Sequence, residues 1–162
     1  MVIEDATEED LPDILAIYND VIATSTAVFS EEPVGLADRR AWLSEHRLRG
    51  QPVLVARSDG AVAGFAAYGD FRPWPGYSTT VEHSLHVSAG HRRRGVGRRL
   101  LQELIARARS DHKHVMVAAI DADNEASLKL HAQLGFKPVG HMPRIAHKFG
   151  RPLDLTLLQL EL

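Results

Sequence analysis

The chain of 162 residues has no cysteine. Disulfides, thiol catalysis and thiolate metal sites are therefore excluded, although the compartment is not fixed by this. Charge of one sign is also lacking. The formal net charge is −2, so no global field argues for a nucleic-acid or membrane partner. No apolar run reaches the ~18 residues of a membrane helix, and no basic-then-apolar N-terminal stretch resembles a signal peptide. A cytoplasmic protein is the expectation. Internal repeats, low-complexity tracts and linkers are absent too. Apolar content of 44% and charged content of 25% are ordinary for a soluble globular protein. The length suits one domain, residues 1–162, large enough for a real core.

What the chain does have is local positive charge in an informative place. The β-branched, apolar-rich run Thr79-Thr80-Val81-Glu82-His83-Ser84-Leu85-His86-Val87 leads into His91-Arg92-Arg93-Arg94-Gly95-Val96-Gly97-Arg98-Arg99. Apolar residues then recur at Val96, Leu100, Leu101, Leu104, Ile105 and Ala108, the spacing of one buried helical face. Strand, Gly-punctuated loop and helix N-terminus together make an anion site. Free N–H groups converge there, the helix dipole is positive, and glycine lets an anion approach the backbone. The carboxylate of Glu82 lies upstream on the strand. An anion cradle beside a carboxylate suggests a phosphate-bearing cofactor next to an acid/base group. The loop is not a P-loop, because no Gly-Lys-Ser/Thr follows. Taken alone, it reads equally as a solvated basic helix start or an RNA-contacting patch.

The rest of the chain supplies the frame. Val2 to Ala6 reads as a strand. Thr7 with Asp10 caps a helix whose apolar face is Leu11, Ile14, Leu15, Tyr18 and Ile22. Thr24 to Gly35 reads as a loop, and a less regular helix follows with Leu36, Trp42 and Leu43 inward. Strands are expected at Pro52 to Arg57 and Ala61 to Phe71 around a Ser58-Asp59-Gly60 turn, and at Ser78 to Val87. Between the last two, Arg72-Pro73-Trp74-Pro75-Gly76-Tyr77 breaks the sheet, because proline lacks the N–H. A helix over Val96 to Ser110, a strand over His114 to Ile120 and a helix over Asn124 to Leu134 come next. The final strands are Phe136 to Met142 and Leu153 to Leu160, with a Gly-Arg-Pro turn between them. The order β-α-α-β-β-β-α-β-α-β-β predicts an α/β fold, a mixed sheet with helices on both faces.

Two segments in this order resemble the GNAT superfamily of N-acetyltransferases. Arg92-x-x-Gly95-x-Gly97 after a strand is similar to its pyrophosphate loop. Asn124-Glu125-Ala126-Ser127, His131 and Leu134-Gly135-Phe136 are similar to its later segment. The resemblance covers nearly the whole chain and implies a mostly antiparallel twisted sheet. Thr80-Val81-Glu82-His83-Ser84, Tyr18-Asn19 and Lys148-Phe149-Gly150-Arg151-x-Leu153-Asp154-Leu155 resemble the phosphinothricin N-acetyltransferase branch. That branch acetylates small amino acids with phosphinate, sulfoximine or sulfone side chains and is typically homodimeric. Two positions depart from it: His147 stands where Tyr is common, and Pro152 where Trp is common.

The resemblance implies acetyl-CoA as cosubstrate. It would be held by Leu85, His86 and Val87, by Arg92, Arg93, Arg94, Gly95, Val96, Gly97 and Arg98, and by Asn124 and Ser127. Glu82 would be the general base, since an ammonium group cannot attack a thioester; read from the strand alone it is a solvent-facing residue ahead of a catalytic one. Asn124, Ser127 and His131 share a helix face. The resemblance puts His131 where many members carry the Tyr thought to protonate the leaving thiolate. Arg72 is a candidate clamp for a substrate carboxylate, with Tyr77 beside it, and Phe29, Trp74 and Lys148 are further pocket candidates. The rival readings are acetylation of a protein N-terminus, polyamine or aminoglycoside, or a non-catalytic acyl-CoA-binding module. No metal is expected, because His83 and His86 point to opposite faces of their strand and His112 and His114 lack a third ligand.

Overall fold

The computed structural model describes residues 1–162. Seven strands form one sheet: β1 (Val2–Asp5), β2 (Val53–Ser58), β3 (Ala61–Asp70), β4 (Thr80–Val87), β5 (Val115–Asp121), β6 (Lys137–Lys148) and β7 (Arg151–Glu161). The helices are α1 (Leu11–Thr24), α2 (Leu36–Leu48), α3 (Val96–Ser110) and α4 (Glu125–Gln133). Element types and order match the sequence expectation. The sheet order is β1-β2-β3-β4-β5-β7-β6, and only the β4–β5 pair is parallel.

Two cores lie on opposite faces. Leu11, Ile14 and Ile17 of α1 and Leu43 of α2 pack on Val53, Val55, Val62, Phe65 and Ala67. On the other face, Val96, Leu100, Leu101, Leu104, Ile105 and Ala108 of α3 pack on Val81, Met116, Ala118 and Leu158. All six residues of the predicted α3 face are buried. The α1 stripe needs correction. Ile17 and Val21 are buried, whereas Leu15 and Tyr18 are only half-buried. The buried face follows Leu11, Ile14, Ile17, Val21 and Ile22 and so turns away from Leu15 and Tyr18, while Thr7 and Asp10 form the capping box at the 3₁₀ turn Glu8–Asp10 that precedes the helix.

The C-terminal hairpin departs furthest from the sequence expectation. β6 does not stop at Met142 but runs to Lys148, and the turn is Phe149-Gly150 rather than Gly-Arg-Pro. Pro138 and Pro143 are tolerated because β6 is an outer strand bonded only to β7, so a missing N–H on its free side breaks no ladder. Phe149 and Gly150 have φ of 53° and 73°, the left-handed pair that a two-residue hairpin requires.

Candidate active site

The site is made by a split in the sheet. β4 and β5 pair only over Thr80–Glu82 with Val115–Val117. Beyond Glu82↔Val117 they part. β4 stays bonded to β3 as far as Val87, and β5 stays bonded to β7 as far as Asp121. Ser88 N–H donates to Ala63 O and Val115 N–H donates to Thr79 O. With the period of two, this turns the main-chain groups of Leu85 and Val87 toward the split. They are donors and acceptors without a strand partner.

An outer groove of about 920 Å³ lies at the open end of the split. Leu85, His86, Val87, Arg92, Arg93, Gly95, Val96, Gly97, Arg98, Asn124 and Ser127 line it. Eleven of the twelve residues assigned from sequence to the cofactor are thus together, and only Arg94 is not on the groove. Gly95 is the N-cap of α3 with φ 80°, a left-handed conformation suited to glycine. A Cβ on Gly97 would project among Leu130, Val87 and Leu85 at 3.5–3.7 Å, on the floor of the groove. Arg151 and Phe149, from the β6–β7 hairpin, complete the groove and were not picked from sequence.

The groove leads to an inner cleft of about 360 Å³, with Ala27, Leu85, His86, Asp121, Asn124 and Ser127 common to both. Its walls include Ser84 and His86 of β4, Ala118 to Asp121 of β5 and His131 of α4. Tyr18, Arg39, Trp42 and Phe65 close it on the α1–α2 side. None of these four was predicted as a site residue, because each looks like an ordinary helix or strand position. Arg39 is a buried cation whose guanidinium lies 4.3 Å from the Tyr18 ring centroid and 4.8 Å from that of Trp42. Burial, with the Arg39 charge second, pushes the His86 imidazole down to about 4, so it is neutral at neutral pH.

Glu82 and His131 stand on different sides of the split. Glu82 shares a strand face with Ser84 and His86, toward α1 and α2. Burial raises its carboxyl above the usual range, and the charge of Arg72 partly offsets this. His131 is 2% exposed, and burial lowers its imidazole. Its Nδ1 lies 2.7 Å from Ser127 O, and its Nε2 lies 2.9 Å from His83 Nε2. A carbonyl only accepts, so Nδ1 carries the proton. His131 Nε2 therefore accepts from His83 Nε2–H. From sequence His83 is part of the branch motif and a failed metal ligand, with no role of its own; its partner on α4 is 48 residues away in the chain.

Arg72, Tyr77, Phe29 and Glu82 line neither cavity. Arg72 is exposed, donates to Phe71 O at 2.7 Å and lies over the Phe71 ring, against which Tyr77 also stacks. These residues form a patch beside Glu82. Trp74 is 71% exposed. Lys148 is buried and donates to Ser25 O and Val28 O at 2.6 and 2.7 Å. It pins the loop after α1, whose Thr26 hydroxyl donates to the Asp121 carboxylate. No group of three or more His, Asp or Glu side chains is placed to hold a metal ion.

The sequence profile described as the acetyltransferase (GNAT) family matches residues 14–136. An L-methionine sulfoximine/L-methionine sulfone acetyltransferase of Pseudomonas aeruginosa is 52% identical over 99% of this chain and 94% of its own. A Brucella melitensis structure described as a ribosomal-protein-alanine N-acetyltransferase superposes with TM-score 0.99 at 44% identity, covering 100% of both chains. A phosphinothricin acetyltransferase from Sinorhizobium meliloti, solved in complex with acetyl-CoA, superposes with TM-score 0.97 at 33% identity, covering 99% of this chain and 88% of its own. The split sheet, the basic groove at the α3 N-terminus and these likenesses agree: the chain belongs to the acetyltransferase (GNAT) family and is an N-acetyltransferase whose acetyl donor is acetyl-CoA.

Proposed function

We propose that the acceptor is the free amine of a small amino acid of the methionine sulfoximine, methionine sulfone or phosphinothricin type, acetylated by direct attack on the thioester. The observation that carries this is the split between β4 and β5, which joins the basic groove to a cleft walled by His131, with Glu82 outside the cleft at the last strand pair, Glu82↔Val117. The Pseudomonas relative supports the substrate class.

In this reading the α3 N-terminus and the arginines around it hold the pyrophosphate of acetyl-CoA. Pantetheine runs along Leu85 and Val87, and their main-chain groups, which have no strand partner, pair with it and polarise the thioester carbonyl. Glu82 takes a proton from the amine, and its raised basicity suits that task. The thiolate leaves on the His131 side. The one N–H of neutral His131 is on Nδ1 and is held by Ser127 O, while Nε2 accepts from His83, so His131 gives a proton only by releasing Ser127 O. Solvent competes as a source, and His131→Ala costs less activity than loss of Glu82. The protein acts in the cytoplasm as a homodimer. Outer strand β6, with exposed Val139, Met142 and Ile145, offers a face for a second copy.

Thiol release from acetyl-CoA tests the acceptor. Turnover is expected with methionine sulfone, methionine sulfoximine or phosphinothricin and is weak with polyamines, aminoglycosides and a peptide bearing N-terminal alanine. The reverse ranking overturns the amino-acid assignment. In Gly97→Val, side-chain bulk enters the groove floor between Leu85, Val87 and Leu130. Calorimetry is expected to show weakened acetyl-CoA binding in a protein that still folds.

Arg72 is proposed to receive the substrate carboxylate as a fork. It is exposed, so its removal costs less than the ~2–5 kcal/mol of a buried pair. Arg72→Ala is expected to raise KM for amino acids by roughly tenfold, about 1.4 kcal/mol. Arg72→Lys, which keeps the charge and loses the fork, also raises KM. Amines without a carboxylate are unaffected in KM. Arg72→Ala also removes the charge that restrains Glu82, so the acid limb of the rate profile moves to higher pH.

A further inference from the structure

The two cavities form one path with a closed end. Inward from the groove, the wall on β4 passes from Leu85 through Ser84 to His83, and the wall on β5 passes from Asp121 to Ala118. The strands rejoin at Glu82↔Val117. His83 and Ala118 are therefore the first residues past the fork, and both line the cleft there. One wall residue is small and the other is an imidazole.

That imidazole is not free to move. Its Nε2–H is held by His131 Nε2 at 2.9 Å, and the two rings lie edge to edge and nearly coplanar, with centroids 5.0 Å apart and an interplanar angle of 11°. Phe136 meets both rings edge-on, at 5.8 Å from His83 and 5.0 Å from His131. His131 is anchored in turn to Ser127 O. Turning His83 aside would leave His131 Nε2 a buried acceptor without a donor. His83 Nδ1 is already sealed from solvent without a partner, so the ring holds its place despite an unpaired nitrogen. Burial and the neighbouring His131 keep the ring neutral at working pH, so it presents a rigid surface without charge to whatever reaches the fork.

An acyl thioester threaded from the groove, with its thiol end leading, points its acyl terminus at this fork. We propose that His83, fixed by His131 and Phe136, is the end-stop that limits the acyl group, admitting acetyl and excluding longer chains. The inference rests on the cofactor path proposed above. Replacing the ring by a methyl group frees the space of a five-membered ring, which suits added methylenes and leaves Ala118 and the groove untouched.

The test compares acetyl-, propionyl- and butyryl-CoA in the unmutated enzyme and in His83→Ala. It measures kcat/KM at one fixed acceptor, and calorimetric affinity for each thioester and for free CoA without acceptor. One methylene in a fitted pocket is worth roughly 10–200-fold. The unmutated enzyme is expected to discriminate against butyryl-CoA on that scale. In His83→Ala the butyryl-to-acetyl ratio is expected to rise about tenfold or more, with free CoA affinity unchanged. His83→Asn, shorter but still able to donate to His131, is expected to shift the ratio the same way and serves if the alanine variant does not fold. An equal loss for all three thioesters, or a ratio unmoved in the folded variant, overturns the end-stop and reduces His83 to a structural partner of His131. If Gly97→Val leaves the affinity of every thioester unchanged, the cofactor path is wrong and the end-stop falls with it.

Discussion

Glu82→Gln is expected to lower kcat by roughly 10²–10⁴-fold at neutral pH, the usual worth of a positioned general base. Glutamine keeps the shape of the side chain and cannot accept the amine proton. Burial lifts the Glu82 carboxyl, with Arg72 opposing. The base is competent only when deprotonated. The unmutated rate therefore falls as pH drops through this raised value, earlier than for an exposed carboxylate. In Glu82→Gln that limb is replaced by the titration of the amine itself, and the deficit narrows at high pH, where the amine is already neutral in water. Rate profiles of the two proteins against pH check this. Near-normal turnover of the variant at every pH would reduce Glu82 to a strand residue beside the cleft.

Acidification is expected to unfold the protein through its buried histidines. Burial depresses His83 to about 3 and His86 to about 4, against roughly 6.5 in an unfolded chain. The unfolded state thus binds protons first. The stability these rings allow is complete above about pH 6.5 and is lost as pH falls through the folded values. At about 1.4 kcal/mol per unit, His86 alone accounts for a few kcal/mol, a large part of the ~5–15 kcal/mol that folds a typical domain. His86→Phe keeps a ring against Tyr18 and Phe65, now 5.6 and 5.2 Å from the imidazole, and removes the titration. Urea unfolding at pH 7 and near pH 4.5 should show a smaller acid loss in the variant. Equal losses in both proteins would place the acid sensitivity elsewhere. Other titrating groups cancel in this comparison, since they are common to the two.

The C-terminal hairpin shows why part of the fold was not legible. The sequence expectation ends the strand at Met142, just before Pro143, and puts the turn at Gly-Arg-Pro. Proline ends a strand only where its missing N–H would face a partner, and no sequence pattern says which strand is outermost. The α1 stripe failed for a smaller reason: Leu11–Thr24 carries aliphatic residues on two adjoining faces, and only packing on the sheet selects Ile17 and Val21 over Leu15. By contrast, the α3 face was read correctly at every residue, because a long amphipathic helix on a sheet must bury its apolar stripe.

By itself, then, the sequence determined the order of elements, the two-faced sheet and the Gly-Arg loop before α3. These are properties of contiguous residues: periodicity, capping, and glycine where φ is positive. Glu82 was singled out from its strand, although nothing local says that its carboxyl is half-buried and lifted. Only the tertiary structure decided that β4 and β5 part after Glu82↔Val117, since strand pairing joins residues far apart in the chain. It also decided that Tyr18, Arg39, Trp42 and Phe65 close one side of the cleft. The His83–His131 bond closes the other, across 48 positions of sequence. Each is a contact between distant residues whose local patterns differ in no way from ordinary helix and strand positions, and such contacts exist only once the chain has folded.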